Sequence, residues 1–124
     1  MSDFSNTLGV TASGLQAQAA RLRHLSENIA NADTPGYRRK TVAFEPKDMG
    51  VKLGRVSLDP IKGVEHFDPS HPLANASGYY EGSNVNLIIE IADAREAQRS
   101  YEANLKIFDQ TRQMSSALLE LLRR

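Results

Sequence analysis

The residues best suited to chemistry fall into three groups, and the first suggests a metal site. His66, Asp68 and His71 carry imidazole and carboxylate groups of the kind that bind zinc. Pro69 lies within this stretch and Pro72 directly follows it, and the spacing matches no common ligand set. We therefore interpret the stretch as a polar loop and predict that the chain binds no metal.

The second group is basic and suggests phosphate binding. Tyr37 is followed by three cations, Arg38, Arg39 and Lys40, in a chain whose 15 basic and 15 acidic residues give a formal net charge of zero. Three cations are too few for tight binding to a polyanion at physiological salt. We therefore expect these side chains to contact solvent or carboxylates of another protein, and we predict neither nucleic acid nor membrane insertion.

The third group combines acidic and basic residues near the C-terminus. Spacings of three and four place opposite charges together on one helix face, which is usually solvated. The sequence contains no phosphate-binding loop, G-x-S-x-G motif or recognisable nucleophile and base. Cysteine is absent, which excludes disulfides and thiol nucleophiles. We predict that the protein is not an enzyme and binds no cofactor. The charged group is Glu90, Asp93, Arg95, Glu96, Arg99, Glu102 and Lys106.

Two helices must position most of these residues, and the first covers residues 5–31. Its apolar and small residues follow a heptad pattern, which is typical of a helix that pairs with another helix. Pro35 disfavours helical geometry at the residue before it, and the Pro35-Gly36 pair suits a type II turn. The predicted seam residues are Leu8, Ala12, Leu15, Ala19, Leu22, Ser26 and Ile29.

The second helix is predicted from an N-cap at Ser83-Asn84 to the C-terminus, because residues 84–124 contain neither Pro nor Gly. Leucines 118, 119, 121 and 122 spread over an arc of about 160°, wider than a two-helix contact needs. Another molecule is expected to cover them. The predicted seam is Leu87, Ile91, Ala94, Gln98, Tyr101, Leu105, Phe108, Arg112, Ser115, Leu119 and Leu122.

Between the helices, residues 36–83 hold four of the five prolines and several short apolar patches, which indicate turns and short strands. The predicted fold is mainly α. Residues 1–35 and 84–124 form one helical domain, a coiled-coil-like hairpin. Residues 36–83 form a linker and a small β-hairpin-like module with extended loops. The N-terminus lacks the basic start and apolar run of a cleaved signal, and no apolar stretch reaches the length of a membrane span.

Five short motifs carry a family resemblance that covers nearly the whole chain. They resemble the N- and C-terminal signatures of flagellar rod and hook proteins, and His71-Pro72-Leu73-Ala74 with Gly78-Tyr79 resembles the short proximal rod members. Distal members usually carry a much longer insertion between the helices. The motifs are Ala12-Ser13-Gly14-Leu15, Asn28-Ile29-Ala30-Asn31, Thr34-Pro35-Gly36-Tyr37, Asn84-Val85-Asn86 and Ser100-Tyr101-Glu102-Ala103-Asn104.

The resemblance implies a structural subunit of the proximal rod, part of the shaft that crosses the periplasm and transmits torque. Such a subunit would assemble with copies of itself and other axial proteins. It would be exported through the flagellar type III export apparatus without a cleaved signal peptide. Subunit packing is expected from Leu15, Leu22, Ile29, Leu105, Phe108, Leu118, Leu119 and Leu122, and linker and inter-subunit contacts from Asn31, Thr34, Pro35, Gly36, Tyr37 and Arg39.

The residues alone leave two other classes open. A secretion-associated chaperone or helical adaptor would also need amphipathic helices, but would be soluble as a defined small oligomer. A nucleic-acid binder would show an affinity that falls steeply with salt.

Overall fold

The protein, described by a computed structural model over residues 2–124, is built on two long antiparallel helices. Helix α1 spans Ser2–Ala30 and helix α2 spans Leu87–Leu122. The two helices pack against each other along much of α1. The predicted pairing of an N-terminal and a C-terminal helix is confirmed.

Between the helices the chain forms three separate two-stranded antiparallel sheets. The pairs are hairpin-like, as predicted, but they do not merge into one sheet. The middle pair is a tight hairpin whose turn residue Asp48 has a positive φ of 53°. The pairs are β1 (Lys40–Thr41) with β4 (Ser57–Leu58), β2 (Phe44–Lys47) with β3 (Gly50–Leu53), and β5 (Glu65–Phe67) with β6 (Tyr79–Glu81).

The chain leaves α1 through the turn that the Pro-Gly pair predicts. The Tyr37 N–H donates to the Thr34 carbonyl at 3.2 Å, and Gly36 has a φ of 74°. Pro35 fixes the first central position of this turn, while the second central position of a type II turn requires a positive φ that favours glycine. The sequence therefore sets the turn through which the linker departs, which begins four residues after α1 ends at Ala30.

The N-cap of α2 lies two residues after the predicted cap at Ser83-Asn84. Asn86 is the N-cap, and its side-chain oxygen accepts from the N–H groups of Ile88 at 3.1 Å and Ile89 at 3.5 Å. Ser83 and Asn84 have other partners, because the Ser83 hydroxyl donates to the Ala32 carbonyl and the Asn84 side chain bonds the linker. Hydrogen bonds to residues distant in the sequence thus engage Ser83 and Asn84, which the local sequence alone would assign as N-caps.

The β2–β3 hairpin packs on the side of α1. The Ser13 hydroxyl accepts from the Val51 N–H at 3.1 Å, and Ala17 beneath the hairpin is only 4% exposed. The Arg21 guanidinium lies 5.9 Å from the centroid of the Phe44 ring. Small residues on α1 therefore allow the strands to approach the helix backbone.

The contact face of α2 keeps part of the predicted seam, with Ala94, Tyr101, Phe108 and Ser115 half-buried, but differs at the other positions. The buried residues Glu90, Ala97 and Thr111 face α1, and Asn104 lies against Gly14. Each is one residue before a predicted seam position. Small and polar side chains allow close helix approach, so the pair closes on them and the bulkier aliphatic residues remain outside. The displaced positions are Ile91, Gln98, Leu105 and Arg112.

Two contacts define how far the helices are shifted along each other. Asn28 of α1 bonds Glu90 of α2, and Gly14 lies against Asn104. In this register Ser2, the first described residue, is opposite Ser116 of α2. The leucine end of α2, residues 118–122, therefore extends beyond the stretch that α1 covers.

Gly63 gives a test of packing in the middle module. A Cβ at Gly63 would overlap the Gly82 carbonyl oxygen, whereas a Cβ at Gly9 in α1 would meet nothing within 4 Å. We expect Gly63→Ala to lower the free energy of unfolding by about 1–3 kcal/mol, as overpacking does. Gly9→Ala should raise it by up to about 1 kcal/mol through helix propensity. Urea unfolding measures both, and equal effects would contradict this packing.

Candidate functional site

A polar cluster joins the two helices to the linker at the end of α1. It consists of Asn28, Tyr37, Arg39, Asn84 and Glu90, and we call it the clasp. The two residues with the largest fully buried side chains of the described chain, Asn28 and Glu90, lie at its centre, each 0% exposed. Buried polar groups cost free energy unless they are hydrogen bonded, so their partners decide what this cluster can do.

Asn28 ties the first strand to α1. Its Nδ2 donates to the Lys40 carbonyl at 3.0 Å and to Glu90 Oε2 at 3.3 Å. Its Oδ1 accepts from the Tyr37 hydroxyl at 2.8 Å and from the Lys40 N–H at 2.9 Å. One amide side chain thus bonds the linker, strand β1 and helix α2 at once.

Arg39 bonds Glu90 from the other side. Its Nε donates to Glu90 Oε1 at 2.6 Å, and one terminal nitrogen lies 3.4 Å from Asp59 Oδ2. Partial burial opposes the charge of Arg39, but hydrogen bonds and attraction from Glu90 and Asp59 outweigh it and raise its pKa. Because both charges are hydrogen bonded, the Glu90 carboxylate is compensated inside the protein.

Asn84 completes the clasp by linking the start of the α2 segment to the strands. Its Oδ1 accepts from the Arg39 N–H at 2.6 Å, and its Nδ2 donates to the Asp59 and Ile61 carbonyls at 3.1 and 2.9 Å. Its own N–H donates to the Tyr37 carbonyl at 3.2 Å. The segment that leads into α2 is therefore hydrogen bonded to the segment that follows α1.

All three cations of residues 38–40 have carboxylate partners within the chain. Arg38 lies 2.9 Å from Glu81, Arg39 pairs with Glu90, and Lys40 pairs with Glu27. The hydrogen bond between Lys40 and Glu27 lowers the pKa of the Glu27 carboxyl and raises that of the Lys40 amine. The basic side chains therefore contact carboxylates, but these belong to the same chain and not, as predicted, to another protein.

The six residues predicted for the linker form intramolecular contacts. Asn31 Nδ2 donates to the Glu27 carbonyl at 2.8 Å, and the Thr34 hydroxyl donates to Asn31 Oδ1 at 3.1 Å. The Pro-Gly pair forms the turn, and Tyr37 and Arg39 belong to the clasp. Their contact with neighbouring subunits remains a prediction.

The eight residues predicted for subunit packing divide into two groups by exposure. Leu15, Leu22, Ile29 and Phe108 are half-buried. Leu105 and the three terminal leucines are 37–70% exposed. The second group is uncovered in a single chain, so a packing role for it requires another molecule. The terminal leucines are Leu118, Leu119 and Leu122.

Sequence reasoning missed three clasp residues as functional candidates. In the sequence Asn28 and Asn84 stand out as parts of motifs, Asn84 also as a candidate N-cap, and Glu90 as part of a solvated helix face. Helical periodicity did not indicate Glu90, because it lies one residue before the predicted seam position Ile91 and in phase with Ala97, whose burial only the structure shows. A carboxylate in phase with a helix contact indicates a buried polar pair, provided that a cation from elsewhere reaches it.

The stretch from His66 to His71 is held by ring stacking and local hydrogen bonds. The His71 ring stacks on the Tyr80 ring with a centroid distance of 3.8 Å, and its Nδ1 accepts from the Leu73 N–H at 3.1 Å. Asp68 bonds the Ser70 hydroxyl and N–H, which lowers the pKa of its carboxyl. Within residues 2–124, no three His, Asp or Glu side chains are grouped so as to hold a metal ion. Neither α1 nor α2 combines the length and apolar character of a membrane span.

Tyr37 gives a pH-dependent test of the clasp. Burial, with the nearby charges of Glu27 and Glu90, raises the pKa of its hydroxyl above 10 despite the opposing effect of Lys40. The neutral hydroxyl therefore stabilises the fold below pH 10, and this contribution is lost as the pH rises through the raised pKa. We expect Tyr37→Phe to lose about 0.5–1.5 kcal/mol at neutral pH, and to show less alkaline destabilisation than the unchanged chain.

The control for this test is Tyr79→Phe, because Tyr79 is 41% exposed and lies outside the clasp. Unfolding is followed by circular dichroism in urea between neutral pH and pH 11. An identical pH dependence in the Tyr37→Phe and Tyr79→Phe proteins would exclude the assigned role of the Tyr37 hydroxyl.

Family comparisons match the two helical ends that meet at the clasp. Residues 8–38 match the family model described as flagella basal body rod protein. Residues 76–121 match the model described as flagellar basal body rod FlgEFG protein C-terminal. A helical pair made from the two chain ends, with a small module between them, thus defines a basal-body rod protein.

Relatives that align over nearly the full chain identify the family within this class of rod proteins. The chain is 42% identical to the flagellar basal-body rod protein FlgC of Agrobacterium fabrum, over 99% of this chain and 98% of the relative. It is 34% identical to FlgC of Salmonella typhimurium and 32% identical to FlgC of Bacillus subtilis, in each case over 94% of this chain and 96% of the relative. The chain belongs to the FlgC family of flagellar basal-body rod proteins.

Proposed function

We propose that the chain is a structural subunit of the proximal rod, where it packs with copies of itself and other axial proteins to form the shaft that transmits torque. One observation carries this proposal beyond family membership. The leucine end of α2 extends past the part of the pair that α1 covers. A helix end rich in leucine needs an apolar partner, and a rod subunit has neighbours that supply one.

The exposed apolar surface continues along α2. A pair of helices buries only one face of each, and the strands cover part of α1 but no comparable part of α2. These side chains form two groups, at residues 87–91 and 105–122, and exposed apolar surface of this extent marks a contact with another macromolecule. The exposed aliphatic residues of α2 are Leu87, Ile88, Ile89, Ile91, Leu105, Ile107, Met114, Leu118, Leu119, Leu121 and Leu122.

The clasp suits a torque-bearing role. A shaft that turns must pass force from the packed helices to the outer module without bending at the joint. Asn28 bonds both α2 and strand β1, and Arg39 bonds Glu90 while its backbone pairs with Asp59 next to strand β4. Several hydrogen bonds in different directions therefore restrain the joint.

The remaining parts of the proposal concern export and location. We propose a periplasmic position in the basal body, reached through the flagellar type III export apparatus without removal of a signal peptide. Family membership supports the position, and the resemblance to exported rod proteins supports the route. We propose a structural and not a catalytic role, because relatives along the full chain are named rod proteins.

Leu105 and Lys106 provide a matched test of assembly. Leu105 is 40% exposed in the single chain, so Leu105→Asp should change its free energy of unfolding by less than about 1 kcal/mol. In a rod contact the new carboxylate would be buried without a partner, and incorporation into rods should be lost. Lys106→Asp places the same charge on the neighbouring residue and should leave incorporation largely intact.

Incorporation is measured by complementing a strain that lacks the subunit and recovering the protein in purified basal bodies. Equal incorporation of the Leu105→Asp and Lys106→Asp proteins would reject a packing role for Leu105. A large loss of stability in the isolated Leu105→Asp chain would instead place Leu105 inside the single-chain fold.

A further inference from the structure

The helical seam by itself does not determine how α1 and α2 are aligned along their axes. On α1 the larger seam residues recur every seven positions, at Leu8, Leu15, Leu22 and Ile29. On α2 the residues that face α1 recur with the same spacing, at Ala97, Asn104 and Thr111. A shift of one heptad, about 10 Å along the axis, would therefore present a similar surface to α1.

One such shift would bury more leucine than the observed register. If Gly14 faced Thr111 instead of Asn104, the leucine end of α2 would lie beside the first turns of α1. Leu118 would be opposite Thr7, and Leu122 opposite Asp3. Apolar burial alone thus favours the shifted pair, and some other interaction must oppose it.

The clasp is that opposing interaction. In the shifted pair Asn28 would face Ala97, while Glu90 would move past Ala30, where α1 ends. Glu90 would lose both Asn28 and Arg39, and Asn28 would be buried opposite an apolar residue. A single buried polar contact can set helix register in this way, because the alternatives leave polar groups without partners.

We propose that the clasp fixes the axial register of the helical pair. It thereby prevents the one-heptad shift that would bring the leucine end of α2 beside the first turns of α1. The hydrogen bonds of Asn84 contribute to this, since they hold the start of the α2 segment beside the linker. The purpose of the free leucine end rests on the proposed function, namely contact with neighbouring axial subunits. The register itself is a property of the single chain and can be measured without assembly.

Engineered disulfides report the register, because the chain has no cysteine of its own. Gly14→Cys with Asn104→Cys reports the observed register, since a Cβ on Gly14 would lie 2.9 Å from Asn104 Nδ2. Gly14→Cys with Thr111→Cys reports the shifted one. Cα atoms more than about 7 Å apart cannot be bridged without backbone movement, so only one pair should form in each register.

We expect only the 14–104 disulfide in the chain with an intact clasp. With Asn28→Leu and Glu90→Leu added, the yield of 14–111 relative to 14–104 should rise at least about tenfold, the factor that corresponds to about 1.4 kcal/mol of lost discrimination. Gln98→Leu with Glu102→Leu is the matched control, because it makes the same kind of change on α2 outside the clasp. This control should keep the 14–104 disulfide.

Glu90→Gln provides a second variant that keeps the size of the side chain, and it should give a smaller rise in the 14–111 product. Only chains with native helix content by circular dichroism are scored. Exclusive formation of the 14–104 disulfide in both clasp variants would overturn the proposal. Because the measurement uses the unassembled chain, that result would leave the assembly role of the leucines to its own test with Leu105 and Lys106.

Discussion

Replacing Glu90 with alanine is expected to lower the free energy of unfolding by about 3–5 kcal/mol, the range found when one partner of a buried ion pair is removed. The Glu90 side chain is 1% exposed, and that of Arg39 is 25% exposed. The substitution would leave Arg39 with only the longer contact to Asp59 and would deprive Asn28 of one acceptor. A small domain has a total stability of about 5–15 kcal/mol, so the loss should be visible as partial unfolding.

Glu96 provides the control. It lies on the same helix, its side chain is 68% exposed, and its nitrogen–oxygen distance to Arg21 is 3.9 Å. An exposed pair of this kind contributes about 0–1 kcal/mol, so Glu96→Ala should change stability little. Urea unfolding of the purified chain, followed by circular dichroism, measures both variants.

Two further results test the contribution of the Glu90–Arg39 pair to stability. Glu90→Gln keeps a hydrogen-bond acceptor for Arg39 and should lose less stability than Glu90→Ala. If the Glu90→Ala and Glu96→Ala proteins unfold at the same urea concentration, the buried ion pair contributes nothing that an exposed pair does not. That result would reject the assignment of the clasp as the group that stabilises the junction between the two helices and the middle module.

The helices and the turn after α1 were predictable because their signals are local. Helical periodicity depends on residues three and four positions apart, and the helix stop depends on the adjacent pair Pro35-Gly36. The N-cap of α2 was placed too early because Ser83, Asn84 and Asn86 are all good capping residues. Bonds from Ser83 to Ala32 and from Asn84 to Arg39 decide the choice, and both partners are far away in sequence.

The contact face of α2 was harder to predict, because the usual rule that the largest apolar residues face inward fails here. Ala97 and Thr111 face α1, while Ile91 and Leu105 are at least 40% exposed. The rule assumes that the chain buries its apolar surface by itself. In a family whose members form a rod, part of the apolar surface faces other subunits. Periodicity therefore identifies the helix, but it does not identify which row of side chains faces the intramolecular partner.

The clasp could not have been assembled from the sequence. Asn28, Arg39, Asn84 and Glu90 come from four segments, and no spacing rule links them. Their individual types suggested other roles, since Arg39 belonged to a basic run and Glu90 to a charged helix face. Only the fold brings the guanidinium to 2.6 Å from the carboxylate.

The terminal leucines should govern assembly while contributing little to the single chain. Leu118, Leu119 and Leu122 are 37%, 45% and 70% exposed. Full burial of a leucine contributes about 1.5–3 kcal/mol, and for side chains already partly covered we expect roughly 1 kcal/mol each. The triple change to serine should therefore weaken assembly at least about 100-fold, with a change in single-chain stability below about 1 kcal/mol.

The matched control changes Gln110, Gln113 and Glu120 to serine, because these exposed residues lie on the same part of α2 but on another face. Assembly is measured as the concentration of subunit needed for half-maximal incorporation into basal bodies, and stability by urea unfolding of the purified chains. Loss of stability without loss of incorporation in the leucine variant would mean that α1 or the module covers these leucines. Equal incorporation of the leucine and control variants would mean that no neighbour packs against them. Weakened incorporation with normal stability is the one combination that follows from a leucine end held beyond the reach of α1.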